Sequence, residues 1–140
     1  MKRMRERPPF SPVISLLTIS SVWDARLSAA LKDLSLTTRK YGLLAHVQGT
    51  PGISFSELAR RSQITVQTAH AAVRTLVDEG LVADSTAHAG AASDLRVTAK
   101  GERTLAEAQR RLDELDATFA SGVPHLSSAL HGLHEEPFGF

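Results

Sequence analysis

Apolar residues recur along this chain at two different periods, and the changes between them outline the fold. From Val13 to Leu34, the residues Leu16, Leu17, Ile19, Trp23, Leu27, Ala30, Leu31 and Leu34 follow mostly at three- and four-residue steps. That spacing predicts a long helix with a broad apolar stripe. Leu36-Thr37-Thr38 interrupts it, and Thr37 or Thr38 can cap a second helix carrying Tyr41, Leu43, Leu44 and Val47. Gly49-Thr50-Pro51-Gly52 reads as a loop. Ser54 then stands three residues before Glu57, the spacing of a capping box, and opens a short helix containing Leu58 and Ala59. After Ser62-Gln63-Ile64, Thr65 can cap a fourth helix, Thr65–Glu79, which Gly80 stops.

Past Gly80 the period shortens. Leu81-Val82-Ala83 and Leu95-Arg96-Val97-Thr98 read as two short strands, joined through Asp84–Asp94, a small-residue stretch with Gly90 near its middle and a flexible tip. Gly101 precedes a last long helical region whose stripe is Leu105, Ala108, Leu112, Leu115 and Phe119. Glu102, Arg103, Arg110, Arg111, Asp113 and Glu114 are expected to face water or a partner. Gly122-Val123-Pro124 breaks this helix, and a short one follows to Leu133. The predicted fold class is mainly α with a small β-hairpin wing: a winged helix-turn-helix with long flanking helices. No internal repeat is present.

Composition narrows the options. The chain has 140 residues, enough for one main core with flanking helices. It contains no cysteine, which removes disulfides, thiolate metal sites and cysteine nucleophiles and fits a reducing cytoplasm. The apolar stretch Pro12–Trp23 follows the basic residues Lys2, Arg3, Arg5 and Arg7, but Thr18, Ser20 and Ser21 dilute it and Asp24 and Arg26 continue it. An amphipathic helix is expected there rather than a signal peptide or membrane span. The formal net charge is +1, so any nucleic-acid surface must come from local clustering. No Ser/His/Asp order, Gly-rich phosphate loop or paired-carboxylate arrangement stands out, so neither an enzyme nor a cofactor is expected.

The fourth helix divides by period. Val66, Ala69, Val73, Leu76 and Val77 form one face, expected to pack on Leu58 and Leu44. Gln67, Thr68, His70, Ala71 and Arg74 project elsewhere. In a major groove, Gln pairs with adenine, Thr and Ala meet a thymine methyl, and Arg takes guanine or a phosphate. The bland reading is a solvated helix face, which any surface helix has.

Context favours the groove. The blocks Leu36-Thr37-Thr38-Arg39-Lys40-Tyr41-Gly42-Leu43-Leu44, Ser56-Glu57-Leu58-Ala59-Arg60-Arg61-Ser62, Leu76-Val77-Asp78-Glu79-Gly80-Leu81-Val82 and Val97-Thr98-Ala99-Lys100-Gly101 resemble, in order and spacing, the MarR family of bacterial transcription regulators, over roughly Trp23 to Phe119. The resemblance implies a homodimer whose first and last helices interlock, with two winged heads on successive major grooves of a pseudo-palindromic site in double-stranded DNA. It also implies a repressor released by a small aromatic or apolar effector bound between the dimer helices and the head. The apolar flanks fit a dimer independently, since burying them calls for a partner; the bland alternative folds them back on the same head. The expected division is residues 1–11 as a flexible basic arm, 12–35 as an N-terminal dimerisation helix, 36–101 as the DNA-binding domain and 102–140 as C-terminal dimerisation helices and tail.

The chain departs from the family at two places. The wing's usual Asp-Arg pair is replaced by Ala89, Gly90 and Ala91, leaving His88 and Arg96 as the basic side chains near the hairpin. The family's recognition-helix arginine is replaced by Ala71, for which Arg74 can partly substitute. Fewer arginines mean fewer displaced counterions and weaker binding. Arg39, Lys40, Arg60, Arg61 and the basic arm can supply phosphate contacts; for Arg60-Arg61 the plain reading is complementing a helix dipole. The expected DNA contacts are thus Arg39, Lys40, Arg60, Arg61, Thr65, Gln67, Thr68, His70, Ala71, Arg74, His88 and Arg96. Trp23, Arg26, Tyr41 and His46 are candidate effector lining, with core packing the alternative for Trp23 and Tyr41. His125, His131 and His134 beside Glu135 and Glu136 invite a metal reading, but scattered histidines are ordinarily surface residues and no metal ligand is assigned. The depleted wing keeps a second class open: a winged-helix protein-interaction module with weakened or lost DNA binding.

Overall fold

A computed structural model describes residues 7–135. Lys2, Arg3 and Arg5 of the expected arm, and Glu136, lie outside the described residues. Helix α1 (Pro12–Leu31) begins with the Ser11 side chain accepting from the Ile14 amide and Pro12 in the first turn. The expected continuation to Leu34 tightens instead into a 3-10 turn, Lys32–Leu34, with Ser35 in the left-handed region at φ 56°. The turn lets the Leu36 amide reach back to the Leu31 carbonyl and sends both leucines into the core.

Helix α2 (Thr38–Gly49) is capped by Thr37, whose hydroxyl accepts from the Lys40 amide. Thr38 instead donates its hydroxyl to Asp24, tying α2 to α1. In α3 (Phe55–Ser62) half of the expected capping box forms. Ser54 accepts from the Glu57 amide, but the Glu57 carboxylate is held by Arg60 and Arg61. Helix α4 (Val66–Asp78) is capped by Thr65 and ends in a Schellman turn: Gly80, at φ 75°, donates to Val77, and Leu81 donates to Leu76.

That turn explains why the first strand starts one residue later than predicted. Leu81 spends its amide on the helix end, so β1 is Val82–Asp84. It pairs antiparallel with β2 (Leu95–Val97) in the register Val82↔Val97, Ala83↔Arg96 and Asp84↔Leu95. Helix α5 (Ala99–Gly122) is capped by Thr98, and Gly101 lies inside its first turn rather than ahead of it. The reason is packing. A Cβ on Gly101 would overlap the Leu81 carbonyl oxygen and lie 2.6 Å from Val97 Cγ1. After a break at Val123, α6 (Pro124–Glu135) runs two residues past the predicted Leu133.

One core joins these elements. Leu43, Leu44 and Val47 of α2, Leu58 of α3, Val73 and Leu76 of α4, and Leu81, Val82 and Leu95 around the hairpin are buried together with Leu31 of α1 and Leu105 and Ala108 of α5. Beyond this head, α1 and α5 continue side by side, with Trp23 meeting Phe119 edge-to-face at 5.0 Å. Val13, Ile14, Leu16 and Leu17 stay exposed, so this part of the stripe is not folded back on the head. Arg111, expected to face water or a partner, turns inward on its own chain. It clamps the end of α1, donating to the Ala30 carbonyl at 2.7 Å and to Asp33, while also holding Glu107.

Candidate nucleic-acid interface

Helices α3 and α4 meet through a turn of the same design as the one that ends α4. Gln63 takes the left-handed conformation at φ 54°, its amide donates to Arg60, and the Ile64 amide donates to Ala59. This sets α4 across α3, and its inner line Ala69, Val73 and Leu76 is buried. The stripe is narrower than its periodicity predicts. Val66 and Val77 are 41% and 37% exposed. At about 100° per residue both fall to one side of the buried line, toward His70.

Gln67, His70, Ala71 and Arg74 are exposed on the outer side of α4. Thr65 and Thr68 are committed locally: Thr65 accepts from the Thr68 amide, and their two hydroxyls pair at 2.8 Å. His70 is also held. Its imidazole stacks on the Phe55 ring with centroids 3.8 Å apart and planes inclined by 18°. Phe55, missed in the sequence, sits at the first position of α3; an aromatic residue directly after the cap was the available signal.

The expected phosphate contacts differ in how free they are. Lys40 is paired with Glu79 at 2.6 Å and also reaches the Ser35 carbonyl. Arg60 and Arg61 both grip Glu57, at 2.5 and 2.8 Å, and Arg61 also donates to Thr50. Hydrogen bonds from the two guanidiniums pull the Glu57 carboxyl down from its ordinary 4.5 to about 2. On the wing, Arg96 leans on Asp94 at 2.9 Å and His88 Nδ1 lies 3.0 Å from the Ala89 carbonyl. Among the described residues, Arg39 and Arg74 have no carboxylate partner. Exposed pairs of this kind contribute about 0–1 kcal/mol, so a phosphate can displace the carboxylate from Arg60, Arg61 or Arg96.

The four candidate effector residues are not brought to one place. Trp23 lines a cavity of about 380 Å³ between α1, α5 and α6, with Leu16, Ile19, Leu112, Asp116 and Phe119 among its other walls. The Arg26 guanidinium lies 4.5 Å over the Trp23 ring. Tyr41 borders a separate cavity of about 250 Å³ and donates its hydroxyl to Gln109 at 3.0 Å. His46 lines neither. Asp116 was not anticipated; burial and the neighbouring Asp113 raise its pKa. His131 lies 3.5 Å from Glu135, and no cluster of three metal-ligating side chains forms among the described residues.

Comparison with known proteins agrees with this geometry. The sequence model of the MarR family matches residues 28–90. The HTH-type transcriptional repressor Rv2887 of Mycobacterium tuberculosis is 31% identical over 103 residues, spanning 73% of this chain and 74% of the relative. The crystal structure of Rv2887 in complex with DNA superposes with a TM-score of 0.75 at 25% identity, over 92% of this chain and 99% of that one. Its complex with p-aminosalicylic acid gives a TM-score of 0.72 at 25% identity, over 92% and 100%. A helix-turn-helix seated on one core, a two-stranded wing and long flanking helices thus accompany a matching sequence, and the chain belongs to the MarR family of transcriptional regulators.

Proposed function

We propose that this chain is a ligand-responsive DNA-binding repressor, acting as a homodimer on a pseudo-palindromic operator in the cytoplasm. The observation that carries the reading is the outer face of α4. Gln67, Ala71 and Arg74 form an exposed row on a helix whose opposite side is locked into the core, the arrangement of a helix inserted in a major groove. Arg39, Lys40, Arg60 and Arg61 supply phosphate contacts around it, and the arginine-poor wing with His88 and Arg96 contributes less. Two heads related by a two-fold axis would meet half-sites about one helical turn of DNA apart.

The effector reading rests on the cavity beside Trp23. Its walls are mostly apolar, its volume of about 380 Å³ lies in the range of small-molecule sites, and it joins the flanking helices whose spacing sets the separation of the two heads. Rv2887, a relative of similar fold, has been crystallised with salicylic acid as well as with DNA. No helix among the described residues is long and apolar enough to cross a membrane.

A mobility-shift assay on the DNA flanking the chain's own coding region tests the reading. The purified protein should shift it at low salt and release it when a small aromatic effector is added. No shift at low salt would overturn it. A protein that ignores DNA until arginine is restored at Gly90 or Ala91 would instead be a protein-interaction module.

A further inference from the structure

The Phe55–His70 stack joins two helices that have different jobs. Phe55 opens α3 and packs against the core on one side; the imidazole of His70, on α4, lies against its ring at 3.8 Å. His70 is nevertheless exposed, and neither of its ring nitrogens has a hydrogen-bond partner among the described residues. It borders a cleft of about 340 Å³ between α4 and the wing, with Phe55, Asp84, Thr86 and His88 among its other walls. An exposed side chain ordinarily loses rotamer freedom when a ligand captures it, which weakens binding. Here the stack has removed that freedom beforehand and left the hydrogen-bonding edge of the ring unspent.

We propose that Phe55 is a positioning residue that presents His70 as a sequence-reading side chain on the wing side of the recognition helix. The inference rests on α4 being the DNA-reading element. It assigns part of the discrimination that the arginine-poor wing does not provide to an imidazole with one donor and one acceptor when neutral. A packing role alone would not require the stacked partner to be the residue facing the groove. It would also make loss of the Phe55 ring a matter of stability and not of base preference.

The test is a double-mutant cycle read in two ways on duplexes selected by the parent protein from a random pool: affinity, and the base preference at each position of the site. His70→Ala should weaken binding about tenfold, the range of one base contact, and flatten the preference at one position of each half-site. Phe55→Leu keeps an apolar side chain but removes the stack; it should flatten the same position, while Phe55→Tyr should retain it. In the His70→Ala background Phe55→Leu should change affinity less than twofold. Additive effects of the two substitutions, or a Phe55→Leu variant with an unaltered preference, would overturn the positioning role while leaving the repressor reading intact. A parent protein that retains no duplex would overturn both.

Discussion

Arg74 and Gly101 show how differently single residues bear on this protein. Arg74 has no carboxylate to compete for it among the described residues, and it projects from the middle of the outer face of α4. Arg74→Ala should weaken operator binding by roughly 1–3 kcal/mol, the range for a specific base contact, whereas Ala89→Ser at the wing tip should change it by less than twofold in the same titration. Equal effects would place the main contact on the wing. Gly101 governs stability instead. Its helix is perfectly able to carry alanine, but the Leu81 carbonyl and Val97 leave no room for a methyl group. Gly101→Ala should lower the unfolding free energy by about 3 kcal/mol or more, while Gly42→Ala, in an open helical position, should leave it unchanged or raise it by up to about 1 kcal/mol. Denaturant midpoints compare the two. Nothing local in the sequence separates these glycines; the difference is that Leu81 and Val97 lie against Gly101 while the space beside Gly42 is open.

At the scale of elements, helix ends carry the design. Thr37, Ser54, Thr65 and Thr98 each cap a helix; the first three were legible because capping acts within three residues of chain, whereas Thr98 read as the end of a strand. The turns that end α3 and α4 share a hydrogen-bond pattern but not a residue: Gln63 at φ 54° occupies the place that Gly80 takes at φ 75°. A left-handed backbone costs a side-chain-bearing residue about 1–2 kcal/mol, partly offset by the greater freedom of glycine in the unfolded chain. Gln63→Gly should therefore be neutral or stabilising by up to about 1 kcal/mol, and Gly80→Ala destabilising by a similar amount, as thermal melts would show. On α3, Glu57 has its folded-state pKa depressed from 4.5 to about 2. The stabilisation it gives is present above pH 4.5 and fades as pH falls toward about 2. The difference in melting temperature between the parent and Glu57→Gln should shrink over that window. The capping-box spacing was visible in the sequence, but Arg60 and Arg61 claimed the carboxylate, a competition between neighbours on one helix face that spacing alone does not rank.

On the scale of the whole molecule, the head is a closed core and the flanks are not. Leu31, Leu105 and Ala108 anchor α1 and α5 to the head, and Arg111 fixes their relative position by clamping the end of α1. The first turns of α1 remain exposed, with Val13 at 64% and Leu17 at 59%. An apolar surface of this kind on a helix pair calls for a second copy. The melting temperature should accordingly rise with protein concentration, and Leu16→Glu should abolish that dependence and yield a monomer in sedimentation. A concentration-independent melt of the parent chain would speak against the dimer.

What the sequence determined by itself was local: the helical and strand periods, the caps of α2, α3 and α4, and the hairpin between Gly80 and Gly101, all of which depend on residues a few positions apart. What only the tertiary structure decided was which of two chemically reasonable partners each side chain took. Val66 and Val77 lost their place in the core because α4 packs along a single narrow line, and Arg111 left the solvent for the end of α1 across 78 positions of chain. Trp23 and Tyr41 parted into different cavities, and His70 found a ring fifteen residues upstream. Such pairings follow from the angles at which helices cross, which no periodicity along one segment encodes.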